Sequence, residues 1–216
     1  MIVLDEKIDH TLVYKVAYSN EEIVLSEKLK YKIIHSRKVL EEKIKNNEII
    51  YGVNTGFGKL YNKIVSDYEK LQLNLIKSHA VGVGEELERE VSRAILFLKL
   101  YNLSLGYSGI RYEVIDRILY FLNNGVYPVI PKYGSVGASG DLVPLSHLAL
   151  TLIGEGYVYL NKSFYPSLVA HKILQIEPLK LKEKEGLSLI NGLEFSKALL
   201  SLSLFEFIKL FKQSLT

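Results

Sequence analysis

Two glycine-rich stretches hold the residues whose types and spacing could do chemistry. The second, Gly134-Ser-Val-Gly-Ala-Ser-Gly140, sets glycines at 134, 137 and 140 around Ala138 and Ser139 and runs directly into an apolar segment of helical character. Free N–H groups at a helix N-terminus stabilise negative charge, so one reading is a capping loop with Asp141 as N-cap. The tripeptide Ala138-Ser139-Gly140 also allows something few tripeptides do. In a compressed loop the Gly140 amide nitrogen can reach the Ala138 carbonyl carbon and close a five-membered ring. Loss of two waters in all also turns Ser139 into a dehydroalanine. The product, a 4-methylidene-imidazol-5-one, is an electrophile made from the backbone itself. Glycine on the nucleophilic side is required sterically, because a Cβ there would obstruct the close approach.

The first stretch, Tyr51-Gly-Val-Asn-Thr-Gly-Phe-Gly-Lys59, has the look of a phosphate-binding loop but fails on count. Gly52 and Gly58 have five residues between them and Leu60 follows Lys59. A P-loop has one residue fewer there, and its lysine is followed by Ser or Thr for magnesium. Spacing alone makes this stretch a strand-to-loop turn. Among the histidines, His79 falls at a helix end, where a lone His is more often a satisfied structural group than a ligand contact, and His147 reads as structural. His10, His35 and His171 are scattered without the i, i+4 partner of a helical zinc site, so no metal is expected.

The elements that must position these residues are mostly helical. Residues 1 to 20, β-branched and Tyr-rich, suggest one or two short strands before the first helix. From Asn20 the pattern turns helical through Leu25, Leu29, Ile33 and Ile34 to Ile44, with Asn46-Asn47 as a stop. A short strand, Ile49 to Tyr51, leads into the first glycine stretch. Ser66-Asp-Tyr-Glu69 forms a capping box for a helix that delivers Ser78 and His79 to its far end. Glu85 to Leu105 predicts the next helix, and Ser108 caps another whose Ile110, Val114, Ile118 and Leu122 step by four to Asn123-Asn124-Gly125. Pro128 and Pro131 force an extended segment. A helix from Asp141 to Ile153 and a hairpin from Gly156 to Phe164 with Asn161-Lys162 as its turn follow. From Leu187 to Leu215 the chain is apolar nearly all round, which predicts a helix buried on every side with no partner left to bury it. The best candidate for a domain boundary is Pro178 to Gly186.

Composition narrows the classes. The 216 residues are 48% hydrophobic and 24% charged, a globular composition that excludes disorder and collagen. No cysteine is present, which excludes disulfides, thiolate metal sites and a cysteine nucleophile. The acidic N-terminus does not read as a signal peptide, so a cytoplasmic location is expected. No membrane span is expected, since Glu206 and Lys209 interrupt the longest apolar run. A net charge of +3, scattered along the chain, excludes a nucleic-acid footprint.

At Gly134-Ser-Val-Gly-Ala-Ser-Gly-Asp-Leu-Val-Pro-Leu-Ser-His147 the sequence resembles the signature of the histidine and aromatic amino acid ammonia-lyases. Tyr51 to Gly58 resembles that family's N-terminal loop, Ser78-His-Ala-Val-Gly-Val-Gly84 its substrate-selectivity segment, Asn102 to Arg111 its long-helix junction, and Glu185-Gly-Leu-Ser-Leu-Ile-Asn-Gly192 the motif that follows. The resemblance implies a mainly α fold: the helical N-terminal domain of the fumarase/aspartase-like ammonia-lyase superfamily with a few short strands, over residues 1–185, and the start of a long-helix bundle over 186–216. It implies no external cofactor, the electrophile coming from Ala138, Ser139 and Gly140 with its methylene from Ser139. It also implies Tyr51 as the base that takes the substrate's β-proton, His79 as a contact to the substrate side chain, and Asn191 as the asparagine beside the prosthetic group and substrate carboxylate. The Ser78-His79 pair is the one seen in histidine lyases, so the implied reaction is elimination of ammonia from L-histidine to give urocanate.

Two departures qualify this. The chain is less than half the family's length and lacks later site residues, which implies the N-terminal part of a lyase, inactive without a complementing C-terminal segment, in a family of homotetramers. Leu193-Glu194 follows Asn191-Gly192 where the family usually has a threonine. A tyrosine or phenylalanine lyase, an aminomutase and a non-catalytic paralogue stay open as alternatives.

Overall fold

The computed structural model describes residues 1–60 and 67–215, and its architecture is mainly helical with three small sheets. β1 (Ile2–Leu4) pairs in parallel with β2 (Ile23–Leu25), Ile2 opposite Ile23. Between them runs α1 (His10–Tyr18), capped by Asp9, whose carboxylate accepts from the Leu12 N–H at 2.9 Å. The expected strands of residues 1 to 20 thus reduce to one, and the helix expected from Asn20 starts later. Ile23–Leu25 is claimed by its pairing with β1, and α2 (Glu27–Lys45) begins after Ser26, which accepts from the Leu29 N–H at 3.3 Å. Its Leu29, Ile33 and Leu40 are buried, and it ends at Asn46 as expected, with Asn47 in a left-handed conformation.

Ile49 to Tyr51 is not a strand. Among the described residues no strand pairs with it; instead the Ile50 N–H donates to Asn54 Oδ1 at 2.8 Å and Asn54 Nδ2 to the Glu48 carbonyl at 2.7 Å, which curls the segment into turns. A short 3₁₀ turn covers Gly58–Leu60. α3 (Tyr68–His79) is capped by Asp67, whose carboxylate accepts from the Lys70 N–H at 3.0 Å; Ser66 of the expected capping box lies outside the described residues. The helix expected from Glu85 is preceded by β3 (Val83–Glu86), and α4 covers Arg89–Ser104. α5 (Tyr112–Asn123) starts at Arg111 rather than Ser108, because residues 109 to 111 are held outside the helix. The Gly109 N–H donates to Ser36 Oγ at 3.0 Å, and Arg111 is bound to Glu185.

β4 (Tyr127–Pro128) joins β6 (Tyr157–Leu160) and β7 (Ser163–Pro166) in an antiparallel sheet, while β5 (Pro131–Tyr133) pairs with β3. The β6–β7 turn is Asn161-Lys162 with φ of 50° and 67°, the twist a two-residue hairpin requires. α6 (Leu142–Leu152), α7 (Ser167–Ile173), α8 (Glu185–Ile190) and α9 (Glu194–Ser214) complete the chain.

The apolar stretch from Leu187 onward is therefore two helices broken at Asn191-Gly192-Leu193. The helix buried all round is α4, in which Arg93 to Leu100 are all buried. α9 packs against α4 and α1 through Ala198 and Leu202, and Phe207 is 64% exposed with Leu200, Leu210 and Phe211 also outward. One core cluster runs from Ile2 through Phe97, Phe121 and Ile190 to Leu202. Among the described residues no helix is long and apolar enough to cross a membrane, and no group of three acidic or histidine side chains is placed to hold a metal ion.

Candidate active site at a helix break

The second glycine loop lies between β5 and α6, and its approach to the α8–α9 break is the central feature of the site. The Asp141 N–H donates to the Gly192 carbonyl at 2.7 Å. Gly140 has φ of +118°, and a Cβ added to it would stand 2.6 Å from Gly192 O and 3.1 Å from Gly192 N. Only glycine fits there. Ala138 and Ser139 themselves are exposed.

Asp141 is fully buried and ties the loop at both ends. Its Oδ1 accepts from Ser135 Oγ and from Ser196 Oγ, each at 2.8 Å, and its Oδ2 accepts from the Ser196 N–H at 2.8 Å. Asp141 stands at the N-cap position of α6, yet its side chain caps the first turn of α9 instead. The N-termini of α6 and α9 thus converge beside the tripeptide, where their dipoles favour negative charge.

α8 carries the break and is anchored at both ends. At its start, buried Glu185 takes a bidentate pair from Arg111, with Nε to Oε1 and Nη2 to Oε2 both at 2.7 Å. Fully buried Gln72 of α3 donates to the Gly52 carbonyl at 3.3 Å and accepts from the Leu187 N–H at 3.0 Å, so α8 and the first glycine loop share one side chain. At the other end Lys99 Nζ, fully buried on α4, lies 3.2 Å from the Asn191 carbonyl, 3.4 Å from the Ser188 carbonyl and 3.1 Å from Glu194 Oε2. Glu194 Oε1 accepts from Asn102 Nδ2 at 2.5 Å. Burial pushes the Lys99 ammonium below its ordinary value, while Glu194 and Asp141 pull it back up.

Of the other expected residues, Asn191 lies in the break, while Tyr51 is in the first glycine loop and His79 at the end of α3. Asn191 sits in the break with its side chain exposed, one residue from the Gly192 contact. Tyr51 is on the rim of the first loop, 55% exposed, its hydroxyl accepting from the Gly58 N–H at 3.1 Å and its ring edge-on to Phe57. The Tyr51 loop reaches α8 at Leu187, its third residue, and the Ala-Ser-Gly loop meets Gly192, just past its C-terminal end. Among the described residues the Tyr51 hydroxyl and ring make their hydrogen bond and ring contact within the first loop.

His79 ends α3, its Nδ1 2.8 Å from the Leu75 carbonyl. That carbonyl can only accept, so Nδ1 is the donor in this bond. The segment after it runs alongside the second loop: β3 pairs with β5, and the Gly82 N–H donates to His147 Nε2 at 3.0 Å. His147 thereby acts structurally, as expected, and burial pushes its imidazolium below the ordinary value.

The residues not anticipated are Gln72, Lys99 and Glu194. A signal existed for two of them: Lys99 interrupts the apolar run Ala94 to Leu100, and Glu194 interrupts the apolar stretch after Leu187. A charge at a core position is costly unless paired, so each implies the other.

A mainly helical chain with a glycine-framed Ala-Ser-Gly loop pressed against a helix break defines the class of protein. Residues 8–216 match the family model described as aromatic amino acid lyase, and the chain belongs to that family. It is 48% identical over 196 residues to a histidine ammonia-lyase of Geobacillus sp. (strain WCH70), a match covering 88% of this chain and 39% of that protein. The fold is similar to the crystal structure of histidine ammonia-lyase from Trypanosoma cruzi, with TM-score 0.85, 39% identity and coverage of 93% of this chain and 39% of that one. It is also similar to a tyrosine aminomutase from Streptomyces globisporus, with TM-score 0.87, 36% identity and coverage of 93% and 38%. The chain therefore spans about two fifths of the length of these relatives.

Proposed function

We propose that this chain is the N-terminal part of a histidine ammonia-lyase, which eliminates ammonia from L-histidine to give urocanate and is inactive until downstream polypeptide completes the site. The observation that carries the reading is the packing of Gly140 onto Gly192, with no room for a Cβ between them. The residues fit a self-formed methylidene-imidazolone at Ala138-Ser139-Gly140. That group supplies an electrophilic carbon for the substrate. Gly140 provides the unobstructed amide, and the converging N-termini of α6 and α9 supply a field that favours negative charge at the loop.

Tyr51 takes the β-proton in this reading, and the substrate amine leaves as ammonia. Asn191 contacts the substrate carboxylate. His79 Nε2 accepts the imidazole N–H of histidine, and the names of the similar ammonia-lyases support that choice of substrate. The outward apolar face of α9 is the surface that downstream helices or other copies of a cytoplasmic homotetramer cover, residues 186–216 being the first part of a helical bundle. A second reading, an aminomutase, is favoured by the likeness to the Streptomyces globisporus structure.

The test is co-expression of this chain with a separate downstream segment from a relative, followed by assay with histidine, tyrosine and phenylalanine. The expected result is urocanate from the mixture and none from this chain alone, with a deficit of two waters confined to the peptide holding Ala138 to Gly140. Urocanate from the chain alone would overturn the claim of incompleteness. A β-amino acid product would select the aminomutase, and an unmodified Ser139 in the active-length assembly a non-catalytic paralogue.

A further inference from the structure

We propose that Lys99, with Glu194 as its counter-ion, is the positioning residue that holds the Asn191-Gly192 break against the Ala138-Ser139-Gly140 loop and so sets the compression that cyclisation needs. The inference deepens the reading of the loop as an electrophile precursor and rests on it for its chemistry, but not for its geometry.

Two helices end and begin within three residues of one another here, and both ends need partners. The carbonyls of Ser188 and Asn191, at the C-terminal end of α8, have no further turn of helix to donate to them, and they lie at the negative end of that helix. An ammonium has three donors and no acceptor, and Lys99 Nζ donates to these two carbonyls and forms an ion pair with Glu194 Oε2. Glu194 opens α9, where an acidic group suits the positive end, and Asn102 donates to its other oxygen. Lys99 therefore reaches from α4, where Arg93 to Leu100 are all buried, to both sides of the break. It fixes the distance between α8 and α9 and with it the position of Gly192.

Everything that presses on the tripeptide passes through that position. Gly192 O accepts from the Asp141 N–H, its backbone meets Gly140 Cα, and Ser196, one turn into α9, holds the Asp141 carboxylate. In the cyclisation the Gly140 nitrogen forms a bond to the Ala138 carbonyl carbon, whose oxygen departs as water with the Gly140 and Ser139 amide protons, leaving a C=N bond to the Ser139 nitrogen. Ser139 loses its α-proton and hydroxyl as the second water, with no change of oxidation state overall. None of these atoms touches Lys99, so its part is to keep the loop tight while they react.

The experiment uses the full chain and its Lys99→Met, Lys99→Arg and Glu194→Gln variants, with two readouts: hydrogen exchange of the Asp141 amide and the mass of the Ala138–Gly140 peptide. Lys99→Met should exchange Asp141 at least about tenfold faster than the parent, with the Tyr157–Pro166 hairpin unchanged. Lys99→Arg, keeping the cation, should restore most of the protection, and Glu194→Gln should fall between. Where the parent loses two waters, Lys99→Met should lose them slowly or not at all. An unchanged Asp141 rate in Lys99→Met overturns the assignment. So does uniform acceleration over Asp141 and the hairpin that Lys99→Arg does not reverse, which would make Lys99 a general stability residue. A parent that keeps both waters counts against the reading of the loop in this chain alone, and the exchange data still decide the role of Lys99.

Discussion

The two glycine loops are held in opposite ways. The first is laced to itself: Asn54 bonds Ile50 and Glu48, Thr55 Oγ1 accepts from the Gly52 N–H at 3.1 Å, and the Tyr51 hydroxyl accepts from Gly58. Gln72 ties its backbone to α8. The second loop has its tripeptide exposed; beside one internal bond, from Ser135 Oγ to Asp141, its restraints come from residues distant in sequence, Gly192 and Ser196. A self-laced loop presents one side chain from a stable perch. A loop clamped from outside can be tightened by the parts that clamp it, and backbone chemistry in a compressed tripeptide demands that second construction.

Substitutions that separate the two loops break this contrast at graded cost. The largest effect is expected for Gly140→Ala, whose Cβ meets the Gly192 backbone at 2.6 Å in a left-handed conformation. Strain and overpacking together should cost about 2–4 kcal/mol in urea unfolding. The Asp141–Gly192 bond should be lost, with no dehydrated peptide detectable. Gln72→Leu comes next, leaving the Gly52 carbonyl and the Leu187 N–H unpartnered, at about 1–3 kcal/mol. Its signature is faster exchange at Leu187 with Asp141 still protected; coupled loss at both would erase the distinction between the loops. Gly137→Ala, at φ of +64° with nothing within 4 Å, should cost only about 1 kcal/mol and leave dehydration intact, which sharpens the claim that the clamp matters at Gly140 alone.

The smallest effect concerns acidity. Burial pushes both His147 and His171 below the ordinary imidazole value. The unfolded chain therefore binds protons first, so stability is full above about pH 6.5 and falls as pH drops toward the lowered folded values. The urea midpoint should be lower at about pH 5.5 than at about pH 7.5. His147→Gln, which keeps an acceptor for the Gly82 N–H, should narrow that gap, and an unaltered gap would assign the effect to other groups.

Much of this was legible in the sequence where the signal is local. The Asn161-Lys162 turn, the Asn46 stop and the four-residue steps of α5 each follow from residues within one element. The Ala-Ser-Gly loop could be placed before a helix because its glycines and the apolar run after Asp141 are adjacent in sequence. What could not be read depends on distant partners. Ile23–Leu25 sits in a helical pattern but is taken by β1, and Ile49–Tyr51 has strand residues but no strand beside it. The apolar stretch after Leu187 conceals its break because Gly192 is the only marker, and the requirement for that break lies in Gly140, far upstream. The Lys99–Glu194 pair shows in the sequence only as two misplaced charges.

The clamp also carries a time. Ser196 lies 55 residues beyond the carboxylate it secures. At roughly 5–20 residues per second of synthesis, those residues take about 3 to 11 s to be added, and until they arrive the upstream loop has no clamp against which to close. On a growing chain the loop lacks this clamp until α9 has begun to dock. On the proposed function, the order of translation would separate making the precursor from making it reactive.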